Sequence, residues 1–232
     1  MFRISDVVKH LLIINILMYF GTLVLLGDPN IGSGALMNEP EGYRVADWGR
    51  YMFAMFYPTS EYFQPYQIIT HMFMHGDVMH LFFNMFTLFM FGPPLEITWG
   101  PKRFLFFYLA TGLGAMLLYL FVKYLELTYF GDSISANAIN IPMLGASGAV
   151  FGILAGYGLM VPNSVIQLIF PPIPLKAKYF VAIYAGVELF SGLSSFARVT
   201  NGGVAHFAHV GGALFGLLII LYWRKYGSRL GS

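Results

Sequence analysis

No cysteine occurs in the 232 residues, which excludes a disulfide framework and a thiolate nucleophile. Charge is nearly as scarce. Only 10% of residues are Asp, Glu, Lys or Arg, against roughly 25% in a typical soluble domain. Thirteen basic and eleven acidic residues leave a net charge of +2, too small and too dispersed to suggest a nucleic-acid partner. No internal repeat or low-complexity tract marks a boundary, so the chain reads as one membrane domain over 1–232. What is abundant is apolar: 57% hydrophobic residues, gathered in long blocks. That pattern belongs to an all-α polytopic membrane protein.

Six apolar segments fall at about 10–27, 69–92, 104–122, 147–161, 178–193 and 204–223. Turn signals close several of them: Gly27-Asp28-Pro29, Gly92-Pro93-Pro94 and Pro162-Asn163. The first has basic residues ahead of it, as a signal peptide does. It lacks a small-residue cleavage site, however, and reads as a span that is kept. Nine of the thirteen Lys and Arg lie at the two ends (Arg3, Lys9, Arg224, Lys225, Arg229) and in the second and fourth loops (Lys102, Arg103, Lys176, Lys178). Arg44, Arg50, Lys123 and Arg198 make up the odd-numbered loops. This bias puts both termini in the cytoplasm. The first loop, about 28–67, crowds together Trp48, Tyr51, Phe53, Phe56 and Tyr57. Such a loop is expected to lie in the outer interface, with a folded extracellular cap as the alternative.

Polar groups inside spans are costly and usually functional, and here they cluster. The second span opens with "THMFMHGDVMHLFFNMF", holding His71, His75, His80 and Asn84. The fourth opens at Ser147, and the sixth carries His206 and His209. With the N-terminus inside, these three spans run from outside to inside, so their polar ends share one depth. Ser147 with a neutral His209 makes a minimal activated nucleophile and base. His80 and Asn84, at i and i+4, share a helix face and can donate to an oxyanion, as can the Ser147 amide at a helix N-terminus. Phe151, one turn after Ser147, could stack on the imidazole. Gly148, Gly152 and Gly156 on the fourth span, with Gly212 and Gly216 on the sixth, form small-residue faces that let the two helices approach. A hydrated pocket opening outward is expected around Ser147. Asp77 and Glu188 are the nearest carboxylates and neither is convincing, so a dyad is expected.

These residues resemble the rhomboid family of intramembrane serine proteases. The resemblance rests on "GASG" (145–148), "HLFFN" (80–84) and "AHVGGALFG" (208–216), in order on alternate spans. "QPYQIITHMFMHGDVMHLFFNMF" and "LEITWGPKRFLFFYL" are similar to the family as well. It implies six helices around a water-accessible site, with Ser147 as nucleophile within a motif that includes Gly145 and Gly148. His209 is then the base, and His80, Asn84 and the Ser147 amide form the oxyanion site. His75 is implied to support the first loop or the oxyanion region. The implied substrates are single transmembrane helices cleaved near the outer face, within the lipid, with no metal or organic cofactor. The minimal six-span type, in a bacterial inner membrane, is the form it suggests. One departure is Tyr66-Gln67, where many rhomboids carry Trp-Arg at the end of the first loop.

Blander roles stand beside these. Alone, Ser147 would be a packing residue in a glycine-rich face, and His206 an interhelical hydrogen-bonding group. His71 is expected at the interface, and the Met-rich stretch around it on the bundle surface. A metal or proton transporter built on His71, His75 and His80 is a second reading, opposed by the lack of a carboxylate at matching depth. A non-catalytic binder of membrane helices is a third.

Overall fold

The computed structural model describes residues 5–26, 52–130, 139–168, 172–197 and 203–226. Six long helices dominate: α1 (Asp6–Leu26), α2 (Val78–Trp99), α3 (Pro101–Phe130), α4 (Ser147–Met160), α5 (Ala177–Ala197) and α6 (Gly203–Tyr226). Five are long and apolar enough to cross a bilayer, and α4, with 14 residues, is shorter. Their outward faces carry large apolar side chains such as Leu17, Phe83, Phe106 and Phe190, as lipid contact requires. The chain is a helical membrane bundle. A short antiparallel pair, β1 (Val165–Gln167) and β2 (Pro174–Lys176), joins α4 to α5.

Helix α4 is apolar on every side and every residue from Gly148 to Gly156 is buried, the pattern of a central helix. It packs on α2, α3, α5 and α6. Close approach to α6 is made by that helix's glycines. A Cβ on Gly212 would fall on the Gly148 carbonyl oxygen, and one on Gly216 would lie 3.0 Å from the Gly152 carbonyl oxygen. The α4 glycines point their missing Cβ elsewhere. Gly148 and Gly152 face Ala115 and Thr111 of α3, and Gly156 faces Leu95, Trp99 and Phe107. One stripe therefore serves three neighbours, α3 and α2 by its side-chain face and α6 by its backbone.

Helix α2 differs from its expected bounds at both ends. It starts at Val78 because Asp77, in an extended conformation, caps the helix by accepting the His80 backbone N–H at 2.8 Å. The residues before it form a single turn at Gln67–Thr70 and a 3₁₀ turn at His71–Phe73. At the far end the helix runs through Pro93 and Pro94, expected as a stop, to Gly100 at φ +83°. Tertiary contacts override the prolines. Glu96, buried, accepts the Val7 and Val8 backbone N–H groups at 2.9 Å each. Its carboxylate thereby caps the positive end of α1 and holds the last turns of α2 in place.

The described end of the first loop is a folded cap. Met55 and Met143 exchange both backbone hydrogen bonds at 2.8 Å, and Ala54, Met55 and Phe56 are buried. Trp48 and Tyr51, part of the aromatic stretch read as interfacial, lie outside the described residues. Gln67 organises this cap. Its amide donates to the Met52 and Tyr62 carbonyls at 3.1 and 3.0 Å and accepts the Gln64 and Phe56 N–H groups at 3.0 and 3.4 Å. The departure from Trp-Arg thus leaves the loop anchored by a buried neutral hub.

Candidate active site

The segment entering α4 is fixed from three sides. The Tyr119 hydroxyl donates to the Ile141 carbonyl at 3.0 Å, Met55 pairs with Met143, and the Gly145 N–H donates to the His71 carbonyl at 2.9 Å. Gly145 has φ +120°, a backbone state open almost only to glycine. A Cβ there would also lie 2.9 Å from His80 Nε2 and 3.5 Å from Ser147 Oγ. The imidazole edge and the hydroxyl therefore border the same small gap. Ser147 is the first residue of α4, so its amide has no partner within the helix.

His80 Nδ1 accepts the Gly76 N–H at 3.4 Å, which leaves the ring proton on Nε2, the nitrogen nearest Gly145. His75, fully buried, stands edge-on to His80 with centroids 5.1 Å apart. Burial pushes its pKa down to about 3, so the ring is neutral. His71 is also buried, and its Nδ1 donates to the Gln67 carbonyl at 2.8 Å. One turn below His80, Asn84 is 6% exposed and its Nδ2 has no hydrogen-bond partner among the described residues. A buried amide left with spare donors is costly unless something else accepts them.

His209 lies flat on Phe151, centroids 4.4 Å apart and planes 4° from parallel. Tyr184 also packs on Phe151, with centroids 4.9 Å apart. A cavity of about 310 Å³ is lined by Ser147, His209 and His80, with Tyr119, Lys123 and Met143 among its walls. Helices α2, α4 and α6 thus each present one polar side chain to the same hollow. Asn84 and His75 are not among its lining residues. Lys123, counted above as a loop cation, is buried in α3 and paired with Glu126 at 2.9 Å.

Glu188 corrects an expectation. Its Oε2 accepts from His209 Nδ1 at 2.9 Å and from His206 Nδ1 at 2.7 Å. A carboxylate at matching depth does exist, contributed by α5, and it holds the imidazole that borders the cavity. The signal was available, since Glu188 is the only acidic residue in α5 and an ionisable group inside a span is functional by default. Glu188, His206 and His209 are also the side chains here whose donor set could hold a metal ion.

The sequence model of the Rhomboid domain matches residues 62–226. The chain is 29% identical to Rhomboid protease AarA of Providencia stuartii, over 90% of this chain and 69% of that protein. It is 31% identical to Rhomboid protein 1, mitochondrial, of Saccharomyces cerevisiae, over 68% of this chain and 42% of the relative. It is likewise 31% identical to Rhomboid-like protein 11, chloroplastic, of Arabidopsis thaliana, over 70% and 54%. The match therefore spans about half the length of the two organellar relatives.

Proposed function

Because this chain belongs to the rhomboid family, we propose that it is an intramembrane serine endopeptidase that cleaves single-span membrane proteins near the outer face. Ser147 Oγ attacks the scissile carbonyl while His209 Nε2 takes its proton. Glu188 accepts the His209 Nδ1–H, fixes the tautomer and stabilises the imidazolium. The oxyanion is received by His80 Nε2–H, the Ser147 amide and Asn84 Nδ2–H. His209 then gives its proton to the leaving amine. Water, deprotonated by the same imidazole, hydrolyses the acyl-enzyme and restores Ser147.

The observation that carries this reading is the single cavity lined by Ser147, His209 and His80 from three helices. The names of relatives agree with it, AarA being called a protease. The test uses purified protein in detergent and a single-span substrate, comparing wild type with Ser147→Ala and His209→Ala. Each variant is expected to lose most turnover, with little further loss in the double, because the two act as a unit. Cleavage persisting in both would sink the assignment. Tight binding of the helix with no cleavage by wild type would leave a non-catalytic binder.

A further inference from the structure

We infer that Glu188, His206 and His209 form a reversible divalent-cation site, zinc by ligand type, that switches the proposed base off. One ligand atom from each side chain, a carboxylate oxygen and two imidazole nitrogens, lies within 4.8 Å of the others, and both Nδ1 atoms contact Glu188 Oε2. Among the described residues this is the only group of three His, Asp or Glu side chains so placed. Two imidazoles and one carboxylate are an established zinc set that leaves a fourth position for water. Zinc bonds of about 2.0–2.1 Å put tetrahedral ligands roughly 3.3 Å apart. The two nitrogens already flank the oxygen at 2.7 and 2.9 Å, so a small opening of each contact, with the nitrogens set about 3.3 Å from each other, admits the ion.

An entry path exists. The His206 side chain is 35% exposed and that of His209 23%, while that of Glu188 is 11% exposed. His206 sits in the first turn of α6, at the end of the bundle where the cavity lies. The site thus has one ligand reaching the surface of the bundle and two more enclosed, the arrangement of a pocket filled by way of His206.

The consequence follows from imidazole chemistry. In the metal-free protein both Nδ1 atoms carry protons and donate to Glu188, leaving His209 Nε2 with a free lone pair. A metal ion takes the Nδ1 lone pair, and the ring proton moves to Nε2. That nitrogen then donates and can no longer accept the Ser147 proton. No net proton is gained or lost by the ring. This inhibition rests on the reading of His209 as base, whereas metal binding does not.

Full-length protein is stripped with EDTA, equilibrated with Zn²⁺ and analysed for bound metal, with thermal unfolding as the check of folding. Wild type and Ser147→Ala are each expected to hold one tight zinc per chain. Loss of an outer-sphere partner weakens metal sites about 10–100-fold, so loss of a ligand in His206→Ala or Glu188→Gln should weaken binding by about 100-fold or more. His206→Asn serves where the alanine variant does not fold. Zinc should also stop cleavage by wild type, EDTA should restore it, and Mg²⁺, which prefers oxygen ligands, should leave it unchanged. Metal bound equally by His206→Ala and Glu188→Gln, or no tight binding in any form, overturns the site. Zinc binding with no cleavage in any condition would instead sink the peptidase reading and leave the metal site standing. Cleavage indifferent to zinc, with no bound metal, would do the reverse.

Discussion

Glu188 joins two histidines of α6 to α5 through a single carboxylate oxygen. Two imidazoles donate to its Oε2, and the one stacked on Phe151 borders the cavity. In the proposed mechanism Glu188→Gln keeps the shape and removes the charge that fixes the Nδ1–H tautomer. Its kcat is expected to fall by roughly 10²-fold or more with KM little changed, since the interaction strengthens in the transition state. A variant with raised KM and unchanged kcat would assign Glu188 to substrate binding instead. His80→Ala and Asn84→Ala should each lower kcat by about 10²-fold, the size of a lost oxyanion donor, measured on the same substrate. Ser147, His80, Asn84, His206 and His209 were legible because each is polar within an apolar run. Glu188 was legible as a residue but not as a partner. The contact crosses from α5 to α6, and sequence carries no distance between helices.

At the scale of elements, the turn before α4 and the α4–α6 contact decide where these groups stand. Gly145→Ala meets both a positive φ and the His80 ring. It is expected to remove most activity by displacing His80, with a stability loss of about 1–3 kcal/mol, read from unfolding in detergent. Gly212→Ala drives a methyl into the Gly148 carbonyl. The helices must then separate where Ser147 and His209 stand, and overpacking of this kind costs about 1–3 kcal/mol. Gly152→Leu should inactivate too, by a different route from the one the glycine spacing suggests, because the new side chain meets Thr111 of α3. A fully active Gly212→Ala protein would show that the two helices do not set the site. The number and order of helices were legible from apolar blocks and turn residues. The ends of α2 were not. Pro93-Pro94 reads as a stop by local rules, whereas the contacts that hold the following turns, the cap that Glu96 places on α1 and the packing of Trp99 on Phe107, are distant in sequence.

Depth and sidedness belong to the whole molecule. Helix α4 has 14 residues, about 21 Å of rise against about 30 Å of hydrocarbon. Its lower end is tied to α6, where Arg224 donates to the Leu159 carbonyl at 2.6 Å. An arginine at that level marks the membrane–water boundary. If Leu159 lies at the inner interface, Ser147 stands about 18 Å above it and roughly 12 Å below the outer one. In the proposed reaction, hydrolysis at that depth needs water, and the cavity lined by Ile141, Pro142 and Ser147 is the route that would supply it. The absence of native cysteine makes this directly measurable. Ile141→Cys, on the cavity wall, and Tyr226→Cys, at the end of α6, each place one thiol in an otherwise unreactive chain. A membrane-impermeant maleimide added outside intact cells should label the first at once and the second only after permeabilisation. The reverse order would invert the topology drawn from the basic residues. Protection of both until permeabilisation would close the cavity to outside water, and with it the route by which an acyl-enzyme at Ser147 could be hydrolysed.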